Sequence, residues 1–217
     1  MELQVTSLHN EPIDEVSYII WREDWPDCLL IDPYDFERIT AWQTAHGKSF
    51  AYILLTHEHY DHIGAVEDLR QRYGCRVIAS EACSAGAGDP RHNLSAFYDA
   101  LMELHGVANW EPVTDRYEMR PAEIVFRGTY EFSFHDMSVC MIETPGHSPG
   151  SVCIEMADLV FTGDTLLRDV PVITRCPYGS RREYRQKALP YLQSVSKDRL
   201  IYPGHGEPFV MRENQYI

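Results

Sequence analysis

The chain predicts an α/β fold, a layered sandwich with sheets packed together and helices outside. Three observations predict it. Helix-like segments alternate with short apolar strands early and late in the chain, consecutive strands with tight turns fill the middle, and no linker or low-complexity run divides the whole.

Taken in order, residues 16–21 and 28–31 are apolar runs flanking Asp24-Trp25-Pro26-Asp27, which predicts a hairpin. Asp35 is placed to cap a helix whose Phe36, Ile39 and Trp42 share one face, and Gly47 closes it. Residues 51–55 form an apolar strand ending on Thr56, a helix follows over 63–73, and 76–79 return as a strand. Between Asp89 and Gly106 a turn leads into a helix carrying Leu94, Phe97, Leu101 and Leu104. Beyond Glu111 the stretches 122–126, 130–134, 139–144, 152–156 and 159–161 read as strands, then 183–195 as a helix and 200–202 as a last strand. The expectation is one domain over 1–217.

Hydrophobic residues at 44% and charged residues at 24% suffice for an ordinary globular core. A net charge of −14 repels phosphate backbones, so nucleic acid is not expected as a partner. One local exception is the basic group Arg175, Arg181, Arg182, Arg185 and Lys187, opposed only by Glu183. Its bland reading is a solvated helix face. No apolar run approaches the ~20 residues that span a bilayer, and Met1-Glu2-Leu3-Gln4 is not a leader, so no membrane partner and a cytoplasmic location are expected. The six cysteines form no C-x-x-C pair and are expected as buried thiols. Trp21 and Trp25, beside the predicted turn, suggest an apolar contact patch for a homo-oligomer.

Four loops carry the chemistry. The first is Thr56-His57-Glu58-His59-Tyr60-Asp61-His62, which begins where an apolar strand ends. His57 and His59 can point one way, leaving Asp61 and His62 for a neighbouring position. Three more strands lead into Pro145-Gly146-His147-Ser148-Pro149-Gly150, Gly163-Asp164-Thr165 and Pro203-Gly204-His205-Gly206. Each is a strand, a glycine turn and one ligand-type residue. Imidazole and carboxylate together suit zinc, iron or manganese. By contrast His9, His46, His92, His105 and His135 stand alone and read as surface or hydrogen-bonded residues.

In this order the four motifs resemble the metallo-β-lactamase superfamily, and more narrowly its glyoxalase II-like hydrolases. The likeness runs from Ile31-Asp32-Pro33 to His205. It implies a four-layer αββα sandwich and two divalent metal ions, zinc first, with iron or manganese as alternatives. It places His57, His59 and His147 on one ion, and Asp61, His62 and His205 on the other, with Asp164 bridging. Asp61 and Asp164 then become catalytic groups around a water that acts as hydroxide on a carbonyl. Asp32 is implied as a group orienting a ligand histidine, against the plain alternative of a strand-ending turn residue.

The substrate implied is a small molecule, an ester, thioester or lactone that carries an anionic group if Arg168 or Arg175 receives it. Glyoxalase II enzymes carry a further helical domain, whereas 12 residues follow His205 here. They also show a Gly-Arg pair after the Gly-Asp-Thr loop and a tyrosine after the last ligand histidine. This chain has Leu166-Leu167-Arg168-Asp169 and Gly206-Glu207-Pro208-Phe209 instead. A mononuclear iron oxygenase like the persulfide dioxygenases shares the loops and stays open as an alternative. So does a non-catalytic or nucleic-acid-processing relative. β-Lactam hydrolysis is not expected, since the resembling lactamases are exported and no leader is read here.

Overall fold

The computed structural model describes residues 2–104, 106–107 and 116–217; His105, expected at the surface, lies outside them. One sheet orders its strands β1 (Gln4–Asn10), β2 (Glu15–Trp21), β3 (Asp27–Ile31), β4 (Ser49–Leu54), β5 (Arg76–Ser80) and β6 (Ile124–Phe126). The first three pair antiparallel, and β3 to β6 pair parallel. The other sheet orders β7 (Thr129–Phe134), β8 (Met137–Glu143), β9 (Val152–Met156), β10 (Leu159–Gly163), β11 (Leu200–Pro203) and β12 (Phe209–Val210). Only β10 and β11 pair parallel there.

Strand alternation sorts the side chains into three apolar layers. Val16, Tyr18, Ile20, Leu29 and Ile31 meet Val139, Met141, Val152, Ile154 and Phe161 between the sheets. Ile19, Trp21, Cys28 and Leu30 point the other way, onto Ile39 and Trp42 of α1 (Phe36–His46), Val66 and Leu69 of α3 (Val66–Tyr73), and Cys83 and Ala87 of α4 (Glu81–Ala87). Cys153, Val160 and Ile201 pack against Leu192 of α7 (Leu189–Ser194). The layers are therefore helix, sheet, sheet, helix, as the resemblance implied. β2 and β3 are covered on both faces, which explains why they read as unbroken apolar runs. Ile19 and Ile20, both 0 % exposed, face opposite cores, each burial contributing about 1.5–3 kcal/mol.

Some elements differ from expectation. The predicted helix over 63–73 is two pieces, α2 (Tyr60–Ile63) and α3, because Gly64 keeps helical dihedrals but Ala65 opens to φ −95° and ψ 0° and gives its N–H to Pro33 O at 3.0 Å. Leu94 at φ +66° starts a 3₁₀ turn over Ser95–Phe97 before α5 (Tyr98–Leu104). The last predicted helix is α6 (Arg181–Glu183), a π-helical turn over Tyr184–Ala188, and α7. Pro190 has no N–H to return to Gln186, and the wider turn accommodates it. β1, α4 and β12 were not legible as elements.

The tryptophan contact patch is a correction. Trp21 is 9 % exposed and edge-on to Trp42, and Trp25 is 5 % exposed and stacked on His135, so both belong to the interior. All six cysteines are free thiols, and Cys28, Cys75, Cys83 and Cys153 are buried. Among the described residues no helix is long and apolar enough to cross a membrane.

Candidate metal centre

β3, β4, β8, β10 and β11 end at a common edge, and their following loops converge there. Val152 N–H donates to Thr56 O at 2.7 Å, tying the end of β4 to the opposite sheet. Gly204 N–H donates to Gly163 O at 2.9 Å, so the Asp164 and His205 loops start side by side. Two glycines make the approach possible. Gly163 sits at φ +47°, and a Cβ there would overlap Thr56 Oγ1. A Cβ on Gly204 would overlap Asp164 Oδ1 and come within 2.8 Å of His62 Cε1.

Among the described residues three groups of potential ligand atoms result, each with its members within 4.8 Å of one another: His57, His59 and His147; Asp61, His62 and His205; and Asp32, His57 and His62. Asp164 stands between the first two. Its Oδ2 lies 3.5 Å from His147 Nε2 and 3.6 Å from His205 Nε2, and its Oδ1 lies 3.6 Å from His62 Nε2. His205 Nε2 is 3.5 Å from Asp61 Oδ2.

The outer edges of four rings fix which nitrogen faces inward. A carbonyl can only accept, so Nδ1–H of His147 donates to Ile173 O at 2.8 Å and Nδ1–H of His205 donates to Ile13 O at 3.0 Å. Thr56 gives its hydroxyl proton to Asp32 Oδ2 at 2.5 Å, so its oxygen accepts from His57 Nδ1–H at 3.1 Å. Asp32 Oδ2 also accepts from His62 Nδ1–H at 3.1 Å, while its Oδ1 accepts from Thr56 N–H at 2.8 Å. Asp32, 2 % exposed, accepts from both Thr56 and the His62 ring, and at φ +49° it also ends β3 as a left-handed turn residue. All four rings then turn Nε2 toward the centre. His59 differs, bringing Nδ1 to 3.0 Å from His147 Nε2. His57 Nε2, His59 Nε2, His62 Nε2 and Asp164 Oδ1 are buried without a hydrogen-bond partner among the described residues. Unpaired buried acceptors beside a carboxylate fit a cation, and this donor set fits zinc, iron or manganese.

Electrostatics divide the centre in two. Burial depresses His57 and pulls His59 down to about 3, and it depresses His147 although Asp164 opposes it. Burial also opposes the proton on His62 and His205, yet their carboxylate neighbours win, raising His62 and bringing His205 to about 9. Asp61 and Asp164 are held below the usual carboxylate range, since the surrounding imidazoles outweigh desolvation. One end is neutral imidazole and the other is rich in carboxylate.

A cavity of about 790 Å³ opens on the centre, lined by His59, Asp61, His147, Asp164 and His205 at its base. Arg175 is on its wall; Arg168 is not, because its guanidinium turns to Glu213 at 3.3 Å. Of the two arginines expected to receive an anionic substrate group, Arg175 lines this cavity and Arg168 does not. Of the remaining basic group, Lys187 pairs with Glu183 at 3.6 Å on an exposed face. His9 pairs with Asp14, His46 bonds Trp42 O, His92 stacks on Tyr178 and His135 pairs with Asp27, and none joins the centre.

Glu58 was missed. Its neighbours His57 and His59 face the centre, so alternation sends it inward. It is 1 % exposed, and it accepts from Ser148 Oγ–H at 2.8 Å and Gly150 N–H at 3.4 Å. Burial pushes its carboxyl up to about 7 against those bonds. It joins the first ligand loop to the loop that presents His147. A glutamate between two ligand histidines was the available signal.

Residues 13–205 match the family model described as the metallo-beta-lactamase superfamily. A relative from Bacillus subtilis (strain 168), "Probable metallo-hydrolase YqgX", is 28% identical over 198 residues, covering 90% of this chain and 86% of its own. The fold is similar to that of BLEG-1 B3 metallo-beta-lactamase, at TM-score 0.82 and 22% identity over 97% of this chain and 95% of the other. It is also similar to TTHA1623 in a di-iron-bound form, at TM-score 0.74 and 24% identity over 98% and 100%. With the four loops matched in order and converged on one centre, the chain belongs to the metallo-beta-lactamase superfamily.

Proposed function

We propose that this chain is a metal-dependent hydrolase of the glyoxalase II-like kind, holding two divalent cations and cleaving a small ester, thioester or lactone. The observation that carries the reading is the convergence of two groups of ligand atoms about Asp164, with His57 Nε2, His59 Nε2, His62 Nε2 and Asp164 Oδ1 buried and without a hydrogen-bond partner among the described residues. His57, His59 and His147 would hold one cation, Asp61, His62 and His205 the other, and Asp164 both. Zinc suits these donors, and the di-iron form of TTHA1623 makes iron the main alternative. When bound, such a pair brings a water near neutral pKa and polarises a carbonyl.

The chain's own residues do the rest. Asp61, kept anionic, offers Oδ2 as an acceptor that orients the attacking water. Asp32 and Thr56 lock the His62 and His57 rings, so the centre needs little reorganisation during reaction. Arg175 makes no ion pair among the described residues and supplies the cavity wall with positive charge for an anionic substrate group. The second ligand group, Asp61, His62 and His205, supplies donors for a second cation beside the first, and a single-iron oxygenase sharing these loops is the alternative reading.

The test is a panel of esters, thioesters and lactones given to protein stripped with chelator and then reloaded with zinc, iron or manganese. Hydrolysis that appears only on reloading supports the reading. A reloaded protein inert on the whole panel, with metal bound, contradicts it.

A further inference from the structure

The cavity above the centre is larger and more apolar than the reacting group requires. Its 790 Å³ falls in the range that encloses a drug-sized ligand. One wall comes from a single stretch, with Leu94, Phe97, Leu101 and Met102 all facing the cavity, and Ile173 stands on another wall. Phe97 is 45 % exposed and Ile173 51 % exposed, and both lie on this cavity. Large apolar side chains left open at the mouth of a reactive centre mark a binding surface.

The wall is also fixed to the centre. Tyr60 N–H, next to His59, donates to Asn93 O at 2.7 Å. The fully buried Asn93 side chain donates to Ala87 O at 2.9 Å and Tyr117 O at 2.8 Å, and accepts from Ser95 N–H at 2.9 Å. These bonds hold Leu94 at φ +66°, a conformation a branched apolar residue avoids unless its surroundings impose it. The turn at Leu94 starts the segment that brings Phe97, Leu101 and Met102 to the same cavity wall.

We infer that the substrate carries an apolar group, an alkyl or aryl chain seated against Leu94, Phe97, Leu101, Met102 and Ile173. This rests on the hydrolase reading for its chemistry, but the seat is tested without turnover. The probes are butanoate, hexanoate, octanoate and decanoate, titrated into metal-loaded protein by calorimetry. The carboxylate is common to all four, so the slope with length reads the chain alone. Affinity should rise roughly fourfold per buried methylene. Phe97→Ser and Ile173→Ser, exposed positions that leave the core intact, should each flatten that slope. Equal affinity for butanoate and decanoate overturns the inference, as does a slope that neither substitution alters. In a parallel arm, esters of the same acids separate the two ideas. Hydrolysis without length dependence contradicts this inference alone. A length-dependent affinity in a metal-loaded protein that hydrolyses nothing supports the apolar seat and contradicts the hydrolase reading.

Discussion

Two buried polar clusters in this molecule are built on opposite plans. Arg70, its side chain 3 % exposed, gives one terminal nitrogen to Glu67 at 2.6 Å and Arg120 O at 2.9 Å, and the other to Pro121 O at 2.9 Å and Glu123 at 2.8 Å. Each terminal nitrogen has its acceptors, and the node pins α3 to the chain before β6. At the candidate metal centre most of the bonds lie on the outside, from Asp32, Thr56, Ile13 and Ile173, and the Nε2 atoms of His57, His59 and His62 face inward without a partner among the described residues. Leaving a buried donor or acceptor unsatisfied costs about 1–3 kcal/mol. The Arg70 node leaves only Nε without a partner and ties two segments together, whereas the candidate centre gathers several unpartnered ligand atoms at one point, an arrangement that suits a cation.

The sharpest way to break this contrast is to remove the group between the two ligand sets. Asp164→Ala should lower hydrolysis on the order of 10³-fold or more and reduce bound metal, read by steady-state kinetics and elemental analysis. Removing Arg70 should do the reverse. Arg70→Ala takes the cation from Glu123 and one of two from Glu67, which keeps Arg120; both carboxylates are partly exposed, so denaturant unfolding should lose about 1–3 kcal/mol while the metal content of the folded protein is unchanged. Asp32→Asn keeps the shape but weakens the hold on His62, and chelator competition should show metal binding weakened roughly 10- to 100-fold.

The smallest effect is a pH dependence of the Arg70 node. Burial would raise the Glu67 carboxyl, but its bonds to Arg120 and Arg70 prevail and hold it below its ordinary 4.5. The unfolded chain therefore takes up this proton first on acidification. The stability it contributes is complete above 4.5 and is lost as pH falls through the lower folded value. Glu67→Gln should remove that contribution. The stability gap between wild type and variant should hold constant above pH 4.5 and shrink below it; a gap that widens on acidification would refute the assignment.

Much of the centre was legible because its parts repeat one device, an apolar strand followed by a tight turn and a ligand. Periodicity found β2, β3 and β4, since strands buried on both faces read as unbroken apolar runs. It missed β1, which is only partly buried along most of its length, and α4, a short run of small residues without an amphipathic stripe. The sequence could not separate Arg168 from Arg175, because the difference lies in a tertiary partner, Glu213. Trp21 and Trp25 misled for a related reason, since a turn residue looks exposed until α1 and β7 cover it.

The central claim is that the two groups of ligand atoms about Asp164 hold two cations. Elemental analysis of protein purified without added metal or chelator tests it most directly. Close to two equivalents per chain of zinc, iron, manganese or a mixture is the predicted result. A single equivalent of iron would contradict the dinuclear account and point to oxygen chemistry, and no metal even after supplementation would contradict the claim itself.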